Sequence, residues 1–322
     1  MLLSPTAKVG FKLHPLFINN DEELDYVLLP VYEGCLYDTS ANTYLTNNSN
    51  EIDINNDKLS SIANVKPFTG SNKNLMFNNL RQLAANRGEG WYITDIRTES
   101  LLQMLFMVEF GSLNGQYTLG KGIVNAKNIG DMITGSTATL GNNSGRASST
   151  TFINGSTTTN QTADDVTAIN YRGMENPWGN IWRAIDKLIV KGNGTSNGGV
   201  PYYNNESLDF NLPNMSYGWI SNMGIGNDEY DWAYIPIKCD SKGNSAVPVG
   251  DSTWTTTNLN NTNMAFIGGS STSTESAGLF DYSFDGNSTS TLGQINARIM
   301  FVPTKNSIYT NNITKWQSHY GG

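Results

Sequence analysis

The polar half of this chain is built from glycine, serine, threonine and asparagine in place of charge. Asp, Glu, Lys and Arg make only 15% of the 322 residues, while glycine alone fills 32 positions. Short hydroxyl and amide side chains compete with the backbone for its hydrogen bonds, and glycine adds backbone freedom, so both work against helix interiors. The composition favours short strands joined by long neutral loops over helical bundles. The extreme case runs from Gly135 to Asp165, almost wholly Gly, Ser, Thr and Asn, and reads as a loop insertion that buries nothing of note. A loop of that length is expected to be functional or disordered, and the reading preferred here is an ordered lobe pinned against a neighbouring subunit.

A hydrophobic fraction of 38% with 11% aromatics fills a real core and excludes disorder throughout. Twenty basic against 28 acidic residues give a formal charge of −8 with no basic cluster, which excludes nucleic acid as a partner because phosphate backbones would be repelled. The opening MLLSPTAKVGFKLHP has too short an apolar run and too early a lysine for a secretion signal, and no apolar stretch is long enough for membrane insertion. Cys35 and Cys239, far apart and without a C-x-x-C spacing, read as buried free thiols, with a disulfide or metal pair as the alternative. His14 and His319 are the only histidines, which leaves a transition-metal enzyme little to build on.

Along the chain, ELDYVLLPVYEGCLYD (residues 23–38) predicts a buried strand running into a turn, and Ser40 to Asp57 a surface loop. Residues 73–86 place Leu75, Met76, Leu80, Leu83 and Ala84 on one helical face, with Ser71 as cap and Gly88 as stop. A second helix, starting at Thr98-Glu99 and ending at Gly111, is apolar almost all round and reads as the central buried one. After Val200 come short aromatic strands separated by turn residues, and residues 306–322 read as a C-terminal arm.

YRGMENPWGNIWRAIDKL (residues 171–188) gives a conflict. Trp178, Ile181, Trp182, Ile185, Leu188 and Ile189 fall at helical intervals behind Asn-Pro, yet Gly179-Asn180 disfavours helix, so spacing leaves helix and strand open. The stretch resembles the signature turn of the formylglycine-generating-enzyme branch of the C-type lectin fold. Thr98-Glu99, the Gly268-Gly269-Ser270 turn and Arg298 are similar to further landmarks of that branch. GFKLHPLF, LFMVEFGSLNGQ, GWISNMG and DWAYIPI are similar to its subset on phage tails and among targets of diversity-generating retroelements. The resemblance spans residues 8 to 303. It implies an α+β, C-type lectin fold over residues 1–305 with two main helices, short twisted strands and extensive loops, and it implies a strand after Gly179. Trp178 and Trp182 then become core pillars whose indole N–H groups bond loop carbonyls, with a ligand platform as the alternative.

Three chemistries follow from the resemblance. Oxidase activity needs two copper-binding cysteines, and Ser273 and Gly278 stand at those positions, so no catalytic residue and no cofactor is expected. The calcium positions of the branch fall on Asn176, Gly179, Ile181 and Arg183, the last a cation. A guanidinium would there satisfy the carbonyls an ion would hold, making Arg172, Glu175, Asn176, Trp178, Asn180, Trp182 and Arg183 a metal-free structural corner, with Arg172 paired to Glu175; a solvent-facing Arg183 is the alternative. For recognition, Trp254, Ser271, Thr272, Ser273, Thr274, Glu275, Tyr282, Phe284, Asn287 and Ser288 supply adaptable hydroxyls and aromatic area, the chemistry of a binding rim, though a plain solvated loop has the same composition.

The acidic runs Asp164-Asp165, Asp228-Glu229 and Glu22-Glu23 read as surface charge, and no P-loop lysine pattern occurs. The expectation is a non-enzymatic protein on the virion surface of a bacteriophage, a tail or head fibre component. Its partners would be a bacterial surface carbohydrate or protein receptor, other virion proteins and its own copies as a homotrimer. The competing expectation is a structural decoration or connector protein with no host ligand.

Overall fold

Asp95 accepts a hydrogen bond from the backbone N–H of Arg97 at 2.9 Å and so starts the longest helix among the described residues. Residues 8–45, 51–69, 75–194, 198–243, 249–255, 262–287 and 294–304 are described by the computed structural model. That longest helix is the second of three: α1 spans Phe77–Ala85, α2 Ile96–Phe110 and α3 Gly115–Leu119. α2 ends at Gly111, whose left-handed φ of 62° glycine adopts without steric cost. α1 is capped by the Asn79 side chain, which accepts from the Met76 backbone N–H at 2.7 Å; Ser71, the expected cap, lies outside the described residues.

The rest of the body is strand and connecting loop. One sheet of nine strands runs in the order Glu206–Ser207, Val200–Tyr203, Trp182–Lys191, Thr262–Ile267, Tyr282–Asn287, Ser252–Trp254, Tyr217–Ile225 and Tyr234–Asp240, with Ile295–Asn296 parallel to the start of the third. Smaller sheets surround it. The α+β architecture with two main helices is therefore corrected to a mostly β one, in which helices of nine, fifteen and five residues serve a curled sheet. The physical reason is the composition itself: hydroxyl- and amide-rich stretches that look like loops pair as short strands once a neighbour supplies the hydrogen bonds.

Two segments show this. Within Gly135 to Asp165, Thr150–Asn154 and Thr157–Gln161 form a hairpin through a two-residue Gly155-Ser156 loop, and the first of them also pairs with Asp131–Met132. Phe152, 1% exposed, anchors it among Ile123, Ala126, Met132 and Val166, so the segment does bury an aromatic. In residues 23–38 the strand is shorter than expected, Cys35–Asp38, because Pro30 lacks an N–H; upstream, Glu23 pairs with Ile18 and Leu28 with Phe301.

The strand Trp182–Lys191 ends the conflict over its spacing. Its register against Thr262–Ile267 slips between Ile185 and Ile189, where Lys187 takes φ 62°. A bulge adds residues to one strand, so inward side chains fall at uneven intervals that imitate a helix. Ala184, Ile185, Leu188 and Val190 are all buried. Cys35 and Cys239 are free and buried. No helix among the described residues is long and apolar enough to cross a membrane. The expected arm 306–322 lies outside the described residues.

Candidate functional site: the Gly-Asn corner and the Ser271–Ser276 rim

Residues 175–183 leave the hairpin Ile169–Tyr171/Met174–Glu175 and turn sharply into the long strand. The turn needs left-handed backbone at Asn176 (φ 49°), Gly179 (φ 77°) and Asn180 (φ 60°). Gly179 is obligatory, since a Cβ there would lie 2.7 Å from the Ile123 carbonyl oxygen. The carbonyls of this turn face inward and are held by two buried arginines. Arg183 Nη1 donates to Pro177 O at 2.6 Å and Asn176 O at 3.4 Å, and its Nη2 pairs with Glu99 Oε2 at 2.7 Å. Arg298 Nη2 donates to Glu175 O at 2.6 Å and Asn176 O at 2.7 Å. Trp178, 0% exposed, donates from its indole to Lys121 O at 3.0 Å and meets Phe106 edge-on; Trp182 is half-buried against the core.

The expected pairing of Arg172 with Glu175 is corrected. Arg172, with φ 51°, and Gly173 form the tip of the hairpin, so the arginine points outward and pairs with Glu109 at 2.8 Å. Glu175 faces inward and accepts from the N–H groups of Gly135 at 2.9 Å and Thr137 at 2.8 Å.

Sequence reasoning did not single out Glu33 as part of this corner. Its Oε2 accepts from Asn176 Nδ2 at 3.1 Å and Asn180 Nδ2 at 2.7 Å. Burial pushes its carboxyl up to about 7, against the opposing pull of Arg298. Burial likewise lowers Arg298 to about 10. Among buried atoms without a partner are Glu33 Oε1, Asn176 Oδ1, and Nε and Nη1 of Arg298. A single glutamate before Gly34 in an apolar run was the sequence signal.

The corner is tied to the Gly-Gly turn: Gly179 N–H donates to Gly268 O at 2.8 Å, and Ser271 N–H to Asn180 O at 2.8 Å. From there Ser271 to Ser276 form an outward turn in which Thr272, Thr274 and Glu275 are exposed and Ser271 and Ser273 half-buried. Thr274 holds φ 54°, a strained conformation for a β-branched residue. Tyr282 and Phe284, expected on this rim, are instead 0% exposed and stack 5.3 Å apart in the core. They alternate on a strand in the interior of the large sheet, so the aromatic spacing marks a buried face. Trp254, 40% exposed, forms a separate patch with Tyr217, its cross-strand partner, ring to ring at 4.4 Å. Asn287 ends its strand, and Ser288 lies outside the described residues.

Beneath the rim lie two carboxyls that sequence reasoning also missed. Asp251 accepts from Phe280 N–H at 2.7 Å, and Asp281 from Ser252 Oγ at 3.4 Å. Each is 0% exposed, and Asp251 Oδ1 and Asp281 Oδ2 have no partner. Burial raises both well above the usual carboxylate range, and Asp251 raises Asp281 further. Gly278 packs directly on Asp251, where a Cβ would fall 2.0 Å from Oδ1, so no substrate reaches the pair. Among the described residues no three His, Cys, Asp or Glu side chains converge as a metal site would need.

No family model matches the chain, and no curated protein matches it. Among solved structures it is similar to the Major Tropism Determinant P3c Variant, with 11% identity and a TM-score of 0.31 over 85% of this chain and 48% of that one. The chain thus spans about half the length of that structure, a likeness too distant to carry fold or function.

Proposed function

We propose that this chain is a non-enzymatic receptor-binding protein on a bacteriophage virion, with the rim Ser271–Ser276 and the Tyr217/Trp254 patch as its contact surfaces. The observation that carries the reading is the rim itself. A hydroxyl-dense, strained turn stands outward while its backbone is fixed to the corner, the arrangement in which loops on rigid bodies serve binding. The phage setting rests on the sequence resemblance. Buried carboxyls sealed from solvent and thiols sealed in the core support a role without chemistry.

Adhesion of the purified protein to a panel of bacterial strains tests this. Trp254→Ala and the double change Thr272→Ala with Glu275→Ala are expected to abolish adhesion to a strain that binds the parent chain while the melting temperature stays put. Adhesion that survives both would remove the site.

One observation bears on assembly, which the structural alternative would need as well. The first described stretch exposes Val9, Phe11, Leu13, Ile18, Leu28 and Val31, from 36% for Ile18 to 104% for Val9. Apolar side chains gathered in one stretch of chain suit a subunit interface, such as that of a homotrimer. Light scattering after gel filtration decides the point: a monomer at micromolar concentration sinks the homotrimer.

A further inference from the structure

Five stretches far apart in sequence meet beside the corner and line an open cavity of about 220 Å³. Lys66, Pro67 and Thr69 line it from one stretch and Gly130–Met132 from another; Asn180 and Ile181 come from the corner, and Ser271 and Gln294 complete the lining. The volume lies below the ~300–1,000 Å³ of sites that take drug-sized molecules, so one small ring fits and an extended ligand does not. Charge inside it cancels. Lys66 Nζ lies 2.5 Å from Asp131 Oδ2, so an anion gains the lysine and meets the aspartate, and a cation the reverse.

We propose that this cavity binds one neutral, hydroxyl-rich ring, the terminal sugar of a glycan, without a metal ion. Its donors and acceptors stand in pairs, as adjacent hydroxyls require. Lys66 and Asp131 offer one pair side by side. The amide of Asn180, a lining residue held by Glu33 through its Nδ2, brings a second donor and acceptor. Ser271 and Gln294 add polar groups at the rim, and Pro67, Met132 and Ile181 give the ring an apolar face. The walls are set before binding. Ser271 N–H holds Asn180 O at 2.8 Å, and Ala126 N–H holds Ser271 O at 2.8 Å, so little ordering cost remains for the ligand. The cavity shares Ser271 with the rim but does not depend on the receptor reading.

Saturation-transfer NMR on the whole protein tests it with methyl glucoside, methyl galactoside and methyl mannoside as probes. N-acetylneuraminic acid, glucosamine and N-acetyl-leucinamide stand for anionic, cationic and peptide ligands. At least one neutral pyranoside is expected to bind with Kd on the order of millimolar, and Ser271→Phe, which sets a ring on the lining, to weaken it about tenfold or more. Lys66→Met is expected to weaken it as well, with melting temperature unchanged, and it carries the test if Ser271→Phe does not fold. Thr158→Ala, on an exposed strand outside the cavity lining, leaves this binding intact. Silence from all three pyranosides, binding of the charged or leucine probes alone, or an unchanged Kd in a folded Ser271→Phe or Lys66→Met protein overturns the proposal. No cells enter this assay, so it and the receptor reading fail separately.

Discussion

Arg183 and Glu99 are each 2% exposed, and neither has solvent to fall back on if the other is removed. Arg183→Met is expected to cost about 3–5 kcal/mol, read as a fall in the urea midpoint, because it strands a buried carboxylate and frees the Pro177 carbonyl. Arg172→Met serves as the contrast. Its pair with Glu109 is half exposed, and its loss is worth at most about 1 kcal/mol. The Asp251/Asp281 pair runs the other way. Two neighbouring buried carboxyls disfavour ionisation, so Asp251→Asn, whose amide can donate to Asp281, should stabilise the chain by about 1–3 kcal/mol at neutral pH. Glu33 adds a pH dependence of definite sign. Its folded value of about 7 lies above the ordinary 4.5, so the folded state holds a proton that the unfolded chain has released. The stability from this group is complete below the ordinary value and is lost as pH rises through the folded one. Melting temperature should therefore fall between about pH 5 and pH 8, and Glu33→Gln should flatten that fall.

The elements differ in how much of them the sequence revealed. α1 and α2 were legible because apolar residues repeat at helical spacing and Gly111 marks a stop, although Asp95 starts α2 three residues before the expected Thr98. The Trp182–Lys191 strand was not legible from spacing, since its bulge disguises a period of two. The hairpin 150–161 was hidden for another reason: its partner strand at Asp131–Met132 and, Ala147 apart, the buried apolar residues clustered with Phe152 lie outside the Gly135 to Asp165 tract. Phe152→Ala is expected to cost about 3–5 kcal/mol in a urea titration, as at any core aromatic. Thr158→Ala, on the exposed edge of the same hairpin, should stay within about 0.5 kcal/mol of the parent. Equal effects would return the segment to the status of a passive loop.

For the whole molecule, composition indicated the neutral surface but not where it gathers. The rim residues Ser271 to Glu275 could be picked out by residue type, whereas Tyr282 and Phe284 carried the same signal and proved to be core. The cavity could not be read at all, because Lys66, Asp131, Asn180 and Gln294 become neighbours only through the fold. A charge of −8 on a chain proposed to adhere through hydroxyls has a consequence for salt. Adhesion should not weaken between about 0.1 M and 1 M salt, where the screening length falls from about 10 to about 3 Å. Loss of adhesion over that range would point to ion pairing. The rim, finally, is fastened by its main chain: Ser271 through N and O, Thr274 through an N–H to Val124 and a carbonyl to Gln116. Nothing in those tethers depends on the side chains of Thr272 or Glu275. The turn is in effect a label holder: the exposed lettering at Thr272 and Glu275 can be exchanged while the frame that carries it stays as it is.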